Sequence, residues 1–161
     1  QINYANKKYS TDSKKFLQFD KVIPFEDNSF DSVSMIELIE HLSDDEIASI
    51  FQQIHRVLKK GGKIYITTPN YLSLCPILEF ILNKVSKVSY EDQHISKFNF
   101  LNINKIINND KFNIIKKNSF IFLSPFTAFF SFKFSIFFSK VERILLKFLP
   151  GFLLFIEIEK K

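Results

Sequence analysis

Residues 30–70 read FDSVSMIELIEHLSDDEIASIFQQIHRVLKKGGKIYITTPN, and this stretch decides the fold. Two apolar runs within it, at 30–36 and 63–68, predict strands. The residues between them carry the spacing of an amphipathic helix. Because strand, helix and strand follow one another within about forty residues, the stretch predicts a βαβ unit with parallel strands and a right-handed crossover.

The predicted helix has signals at both ends. Ser43 is followed three residues later by Glu46, which is the pattern of a capping box. The lysines at 59–60 suit the last turn of a helix, and the glycines at 61–62 are expected to stop it. The apolar face comprises Ile47, Ile50, Phe51, Ile54, Val57 and Leu58.

The flanking segments give weaker patterns, and no flexible linker or internal repeat divides the chain. We expect one domain, with an N-terminal helix end and surface connection at 4–15. The further expected elements are strands at 16–19, 112–123 and 152–159, helices at 71–88 and 101–109, and a Phe-rich apolar segment at 126–149.

Composition narrows the class of protein. The 161 residues carry a formal net charge of +5, but the basic residues are scattered and form no nucleic-acid-binding motif, so we expect no nucleic-acid partner. A single cysteine, Cys75, excludes an internal disulfide framework and favours a reducing, cytoplasmic location. Its position before a proline suggests packing rather than nucleophilic chemistry.

Four blocks of sequence resemble the class I S-adenosylmethionine-dependent methyltransferases. They are I-P-F-E-D-N-S-F-D at 23–31, I-E-H-L at 39–42, H-R-V-L-K-K-G-G at 55–62 and I-T-T-P-N at 66–70. Their order and separations are most similar to the ubiquinone-biosynthesis O-methyltransferase type, within the methyltransferase type 11 group. The resemblance implies an α/β fold with a Rossmann-like sheet, mostly parallel with an antiparallel C-terminal strand and lacking the first strands.

The same resemblance implies S-adenosylmethionine as cofactor. An Asp after the third family strand accepts a hydrogen bond from the adenine amino group, which places Asp20 in that role, with a neighbouring backbone N–H, at Lys21, serving a ring nitrogen. Ile36 and Glu37, at the end of the next strand, are the other expected cofactor contacts. The alternative for Asp20 is a turn residue that ends a strand.

The E-x-x-E-H cluster after the second predicted strand carries the candidate chemistry. His41 could take a proton from an acceptor hydroxyl, and His94, in an H-x-x-K-F motif, is expected on the acceptor side. A less favoured reading is a divalent metal held by Glu37, Glu40 and His41. The structural alternative is that His41 packs the loop before the helix.

Only three glycines occur in the chain, so the glycine-rich cofactor loop of this family is not among these residues. We therefore expect an N-terminally truncated domain that is itself inactive. Its expected parts are a cofactor-side core at 1–70, an acceptor-side insertion at 71–100, and C-terminal strands with a Phe-rich helix at 101–161.

The expected function is methyl transfer to a small or lipid-linked acceptor, at oxygen. The alternative is a non-catalytic remnant or binding module. Residues 119–138 are apolar enough to raise the question of membrane contact, but Pro125 and Lys133 interrupt the run and argue against a spanning helix. Peripheral contact with the inner face of a membrane, or burial of the Phe side chains against the sheet, would both fit it.

Overall fold

A computed structural model describes residues 1–85 and 93–161. Four strands form one sheet: β1 (Phe30–Ile36), β2 (Leu58–Pro69), β3 (Phe112–Phe120) and β4 (Leu153–Lys160). The helices are α1 (Ile2–Tyr9), α2 (Asp44–Val57), α3 (Cys75–Val85), α4 (Ser124–Thr127) and α5 (Phe132–Leu145). Two short 3-10 turns lie at Ile39–His41 and Ile103–Ile106.

The sheet has the strand order β1-β2-β4-β3. β1 pairs with β2 in parallel, and Ile36 lies opposite Thr67. β4 inserts between β2 and β3 and is antiparallel to both, so the other three strands share one direction. The predicted fold class, a Rossmann-like sheet with an antiparallel C-terminal strand, is confirmed.

The predicted βαβ unit is formed by β1, α2 and β2. Ser43 Oγ accepts from the backbone N–H of Glu46, and the Glu46 carboxylate accepts from the backbone N–H of Ser43, so the capping box is present. Its negative charge also suits the positive end of the helix dipole. The buried side of α2 carries Ile47, Phe51, Ile54 and Val57.

This buried side packs on one face of the sheet. It contacts every second residue of the central strands β2 and β4, because alternate side chains of a strand point to the same face of the sheet. The fully buried members include Ile64, Ile66, Leu154, Ile156 and Ile158. Each such side chain contributes about 2 kcal/mol by leaving water, so this layer holds α2 against the sheet.

The end of α2 differs from the prediction. The helix ends at Val57, and Leu58 already has extended backbone and begins β2, so the glycines at 61–62 lie within the strand. Gly61 has a φ of 73°, and a Cβ on Gly62 would lie 2.8 Å from the Lys59 carbonyl oxygen. The glycines therefore permit an irregular strand start rather than a helix stop.

Three other predicted elements also differ. Residues 16–19 form no strand, because none of the described strands lies beside them. Their backbone is instead held by the Asn6 side chain, which bonds both the N–H and the carbonyl oxygen of Phe16. Residues 101–109 contain only the turn Ile103–Ile106. The helix predicted at 71–88 begins later, at Cys75, and its predicted last three residues lie outside the described ranges.

Within residues 1–85 and 93–161, no helix has the length and apolar character needed to cross a membrane.

Candidate active site

The carboxyl ends of β1 and β2 lie side by side and carry the candidate site. Parallel strands place the residues that follow them at one edge of the sheet, where ligands of open α/β folds bind. Residues 37–41 follow β1 there, and residues 70–71 follow β2. The segment 93–98 lies over both, since Ser96 N–H donates to the Glu40 carbonyl oxygen and Tyr71 N–H to that of Phe98.

Glu37 is the first residue beyond β1. Its φ of 48° lies in the left-handed region, which is uncommon for a residue with a side chain and turns the chain sharply. Its Oε1 is buried and accepts no hydrogen bond from any described residue. Burial therefore raises the pKa of the Glu37 carboxyl, with a smaller raising effect from Glu40, while a hydrogen bond from Thr67 opposes the shift.

Glu40 is almost fully buried, with 1% of its surface exposed. Thr68 Oγ1, at the end of β2, donates to Glu40 Oε2 at 3.0 Å. The backbone of the Ile39–His41 turn is fixed in addition by burial of Ile39. The Glu40 carboxylate is thus locked between the two strand ends.

His41 follows at the mouth of the site, with 40% of its side chain exposed. Its Nδ1 lies 2.8 Å from the carbonyl oxygen of Gln93. A carbonyl oxygen can only accept, so Nδ1 carries the hydrogen in this pair. In the neutral ring, Nε2 then holds the lone pair, and it lies 3.9 Å from Glu40 Oε1. His41 has the tautomer of a proton acceptor.

His94 belongs to a partly buried polar group with Glu79 and Tyr71. Its Nδ1 is 2.6 Å from Glu79 Oε1 and 2.9 Å from the Tyr71 hydroxyl. Tyr71 donates to both oxygens of Glu79, at 2.6 and 2.8 Å. Burial, and then the Glu79 carboxylate, raises the pKa of Tyr71 well above its usual range, so its hydroxyl keeps its proton.

The two histidines meet across the strand ends. Their ring centroids are 5.1 Å apart, and one ligand atom each from Glu40, His41 and His94 lies within 4.8 Å of the other two. The structure therefore joins the two predicted catalytic side chains, which are 53 positions apart in sequence. Glu37, predicted as a metal ligand with Glu40 and His41, is not a member of this group of three.

Asp20 and Lys21 lie in a neighbouring cleft of about 420 Å³ against α2. Apolar walls from Phe19, Ile23, Leu42 and Ile50 accompany the Asp20 carboxylate there. None of the predicted catalytic side chains lines this cleft. Ile36, the last residue of β1, is 61% exposed at the sheet edge.

The sequence blocks at 23–31 and 55–62 contact each other and have a structural role. The Arg56 guanidinium donates to the carbonyl oxygens of Ile23 and Phe25, each at 2.8 Å. The backbone N–H of Asn28 in turn donates to the Arg56 carbonyl oxygen at 2.9 Å. The loop that leads into β1 is thus clamped to the end of α2, which sets the position of β1 and of Glu37 beyond it.

Sequence reasoning missed Tyr71, Glu79 and Thr68 as parts of the site. A signal was available for Thr68, because it ends a strand beside the acidic cluster. Glu79 lies on α3, in the stretch where the resemblance is loosest, and nothing in the local pattern separates it from a solvent-facing residue. Cys75, also on α3, is buried, and burial raises the pKa of its thiol to about 12.

The comparisons with known proteins bear on this arrangement. Residues 1–66 match the family model of a methyltransferase domain. The chain is similar across 99% of its length to a solved SAM-dependent methyltransferase from Archaeoglobus fulgidus, with a TM-score of 0.60, 18% identity and 73% of that chain covered. The fold is that of the Rossmann-like methyltransferases.

Two curated methyltransferases also match parts of the chain. The sterol 24-C-methyltransferase of Gibberella zeae is 45% identical over 60 residues, which are 37% of this chain and 15% of that protein. Phosphoethanolamine N-methyltransferase 2 of Caenorhabditis elegans is 48% identical over 46 residues, 29% of this chain and 10% of that protein. The chain thus covers less than a sixth of each of these curated methyltransferases.

The comparisons thereby confirm the methyltransferase resemblance for residues 1–66 and for the fold of the chain. The ubiquinone-type subgroup, the truncation and the division of the chain into three parts stay predictions.

Proposed function

We propose that the chain contributes the acceptor side and part of the cofactor side of an S-adenosylmethionine-dependent methyltransferase that acts on a hydroxyl group of a small or lipid-linked acceptor. The observation that carries this proposal is the His41 imidazole at the carboxyl ends of β1 and β2, held in the tautomer that accepts a proton at Nε2. The match of residues 1–66 to a methyltransferase domain supports the reaction class.

The side chains present fit the nucleoside end of the cofactor. The Asp20 cleft combines one carboxylate, which can accept from an exocyclic amino group, with apolar side chains that can cover the faces of a purine. The sulfonium of S-adenosylmethionine supplies the methyl group when it is bound, and no nucleophile of the protein is required.

The groups around His41 support oxygen as the methylated atom. A hydroxyl is a poor nucleophile until its proton leaves, and an imidazole is suited to taking that proton near neutral pH. The buried Glu40 carboxylate lies 3.9 Å from His41 Nε2, beside the atom that would receive the proton. His94 lies on the opposite side of the same opening and would orient the acceptor.

A divalent cation is a second reading of the same cluster. One carboxylate and two imidazoles with ligand atoms inside 4.8 Å match the donor set of a divalent metal such as Zn²⁺ or Mn²⁺. Such a cation would hold the acceptor oxygen and lower the pKa of its hydroxyl. The buried, unpartnered Oε1 of Glu37 nearby favours a cationic occupant of this edge.

The proposal is tested by isothermal titration of the full-length protein with S-adenosylmethionine, followed by an assay of S-adenosylhomocysteine formation with catechol as the acceptor probe. We expect cofactor binding that Asp20→Ala weakens, and turnover that His41→Asn lowers by about a hundredfold. Absence of cofactor binding would favour the non-catalytic binding module instead. Loss of turnover after treatment with a chelator, restored by Mn²⁺, would select the metal reading.

A further inference from the structure

The segment 121–151 presents an unusual concentration of phenylalanine to solvent. It forms α4, α5 and the turns around them, between β3 and β4. Isolated exposed apolar residues are ordinary on protein surfaces, but a contiguous group of large ones marks a contact surface. The most exposed members are Phe129 at 90%, Phe148 at 83%, Phe130 at 80%, Phe132 at 74% and Phe137 at 62%.

All the exposed formal charge of this segment is positive. Its one acidic residue, Glu142, is 3% exposed and turned inward. The Glu142 carboxylate accepts from the backbone N–H groups of Leu123 and Ser124, at 2.9 and 2.8 Å, and from the Ser124 hydroxyl. The four cations, Lys133, Lys140, Arg143 and Lys147, are all exposed.

Helix α5 is amphipathic, but its polar side faces the protein and its apolar side faces outward. Its inward side carries Glu142 and Ser135, whose hydroxyl donates to the Ser124 carbonyl oxygen at 2.7 Å. Its outward side carries Phe137, Val141 and Ile144, which recur at spacings of four and three and so form one stripe. Polar contacts hold the helix in place, and the apolar stripe is left outward beside the cations.

We propose that residues 121–151 form a docking surface for a lipid bilayer that carries anionic headgroups. The Phe side chains would enter the boundary between headgroups and acyl chains, and the four cations would lie at the level of the phosphates. The described helices are too short to span, so the contact lies in the plane of the interface.

The positive charge of the segment favours a lipid bilayer over a second copy of this chain as the partner of the docking surface. Pairing two copies of the segment about a two-fold axis would set four cations against four, with no exposed carboxylate of the segment to offset them. An anionic surface satisfies both the apolar stripe and the cations. The lipid surface is therefore the occupant that the segment fits.

The docking surface is joined to the candidate site through Asn70. This buried residue donates its backbone N–H to the Phe152 carbonyl oxygen at 2.7 Å and its side-chain amide to that of Gly151 at 2.9 Å. Tyr71 of the site follows it directly. This placement favours an acceptor that comes from the bilayer. That inference rests on the proposed function, whereas the docking of the surface to a bilayer does not.

The test is co-sedimentation of the protein with vesicles of phosphatidylcholine alone, and with vesicles of equal parts phosphatidylcholine and phosphatidylglycerol. We expect binding to the mixed vesicles that raised salt weakens. The double variants Phe129→Ser/Phe130→Ser and Lys140→Glu/Arg143→Glu should each lower the partition coefficient by about tenfold or more. The charge-matched control Lys60→Glu/Lys116→Glu changes exposed lysines of β2 and β3 and should bind nearly as the parent protein does.

Three outcomes would overturn the docking surface. The first is absence of binding to the mixed vesicles. The second is an equal loss of binding in the control and in the Lys140→Glu/Arg143→Glu variant. The third is self-association of the protein, without vesicle binding, that the Phe129→Ser/Phe130→Ser variant no longer shows. Circular dichroism of each variant separates lost binding from lost folding. Because sedimentation needs no methyl transfer, failure here leaves the proposed function intact, and failure of the methylation assay leaves this proposal intact.

Discussion

The Nδ1 atom of His94 lies 2.6 Å from Oε1 of Glu79, although the two residues belong to different segments of the chain. The carboxylate accepts from this ring nitrogen and from the Tyr71 hydroxyl together, which fixes the plane of the imidazole at the opening of the site. A carboxylate behind a histidine commonly sets both the tautomer and the orientation of the ring.

Glu79→Gln tests this positioning. The amide keeps the size of the side chain but loses the charge, so we expect kcat for methyl transfer to fall by about tenfold while the affinity for S-adenosylmethionine is unchanged. Steady-state kinetics and cofactor titration of the full-length protein measure both. Glu26→Gln, on the exposed loop before β1, is the matched control and should leave kcat unaltered. A parallel loss of cofactor affinity would mean that Glu79 acts on the fold rather than on His94.

His41→Asn tests the proton acceptor. Asparagine can still donate to the Gln93 carbonyl oxygen but offers no basic nitrogen in place of Nε2. We expect kcat to fall by about a hundredfold, with the remaining rate rising steeply with pH as the acceptor hydroxyl ionises by itself. A rate equal to that of the parent protein would assign His41 to loop packing, the structural alternative that its place before α2 allows.

The sequence could predict features that depend on neighbouring residues, but not contacts between distant parts of the chain. The capping box at Ser43 and the strand at 30–36 are local patterns, and both formed as predicted. The lysines at 59–60 were expected at the end of α2, but Leu58 has an extended conformation, and Lys59 instead pairs with Asp31 at 2.7 Å. The cation that lies at the end of α2 is Lys160, more than a hundred residues away in sequence, so no local pattern could have revealed it.

The site shows the same limit. The E-x-x-E-H spacing predicted Glu40 and His41 together, because both lie in one short turn. The approach of His94 depended on the resemblance, and its partner Glu79 depends on how α3 returns to the sheet. Long-range hydrogen bonds such as these are decided by packing of whole elements, and sequence periodicity carries no information about them.

Asp20→Ala tests the cofactor cleft. If the Asp20 carboxylate accepts from the adenine amino group, its removal should raise the dissociation constant for S-adenosylmethionine by about tenfold, the effect of one lost hydrogen bond to a charged group. Isothermal titration measures the constant. Asp12→Ala, on the exposed turn after α1, is the control. Unchanged affinity in the Asp20 variant would return this residue to the role of a turn former.

His55 gives the fold a predictable response to acid. Burial, followed by the charges of Lys160 and Lys111, lowers the pKa of His55 below its usual value of 6.5. The unfolded chain therefore binds a proton that the folded chain resists, so the free energy of unfolding falls as pH drops through and below that value. His55→Gln should flatten this fall between about pH 7 and pH 5. Melting temperatures of both proteins over that range measure it, and curves that stay parallel would contradict it.

Lys160 is the cation at the end of α2, and its replacement should destabilise the fold. Its ammonium group, 9% exposed as a residue, donates to the carbonyl oxygens of His55 and Leu58 at 2.7 and 2.6 Å and to Asn28 Oδ1 at 3.0 Å. These bonds tie β4 to the last carbonyl groups of the helix, where a positive charge is favourable.

Lys160→Met keeps the aliphatic stem and leaves those acceptors without their donor. We expect the free energy of unfolding to fall by about 2–3 kcal/mol, as measured by urea denaturation. Lys161→Met is the matched control, because that neighbouring side chain is exposed and bonds only the Asn109 carbonyl oxygen among the described residues. Equal losses in the two variants would show that the charge at the chain's last strand, rather than the contact with α2, provides the stability. A loss confined to Lys160→Met identifies the link that closes β4 against the βαβ unit and so holds the two strand ends of the site in place.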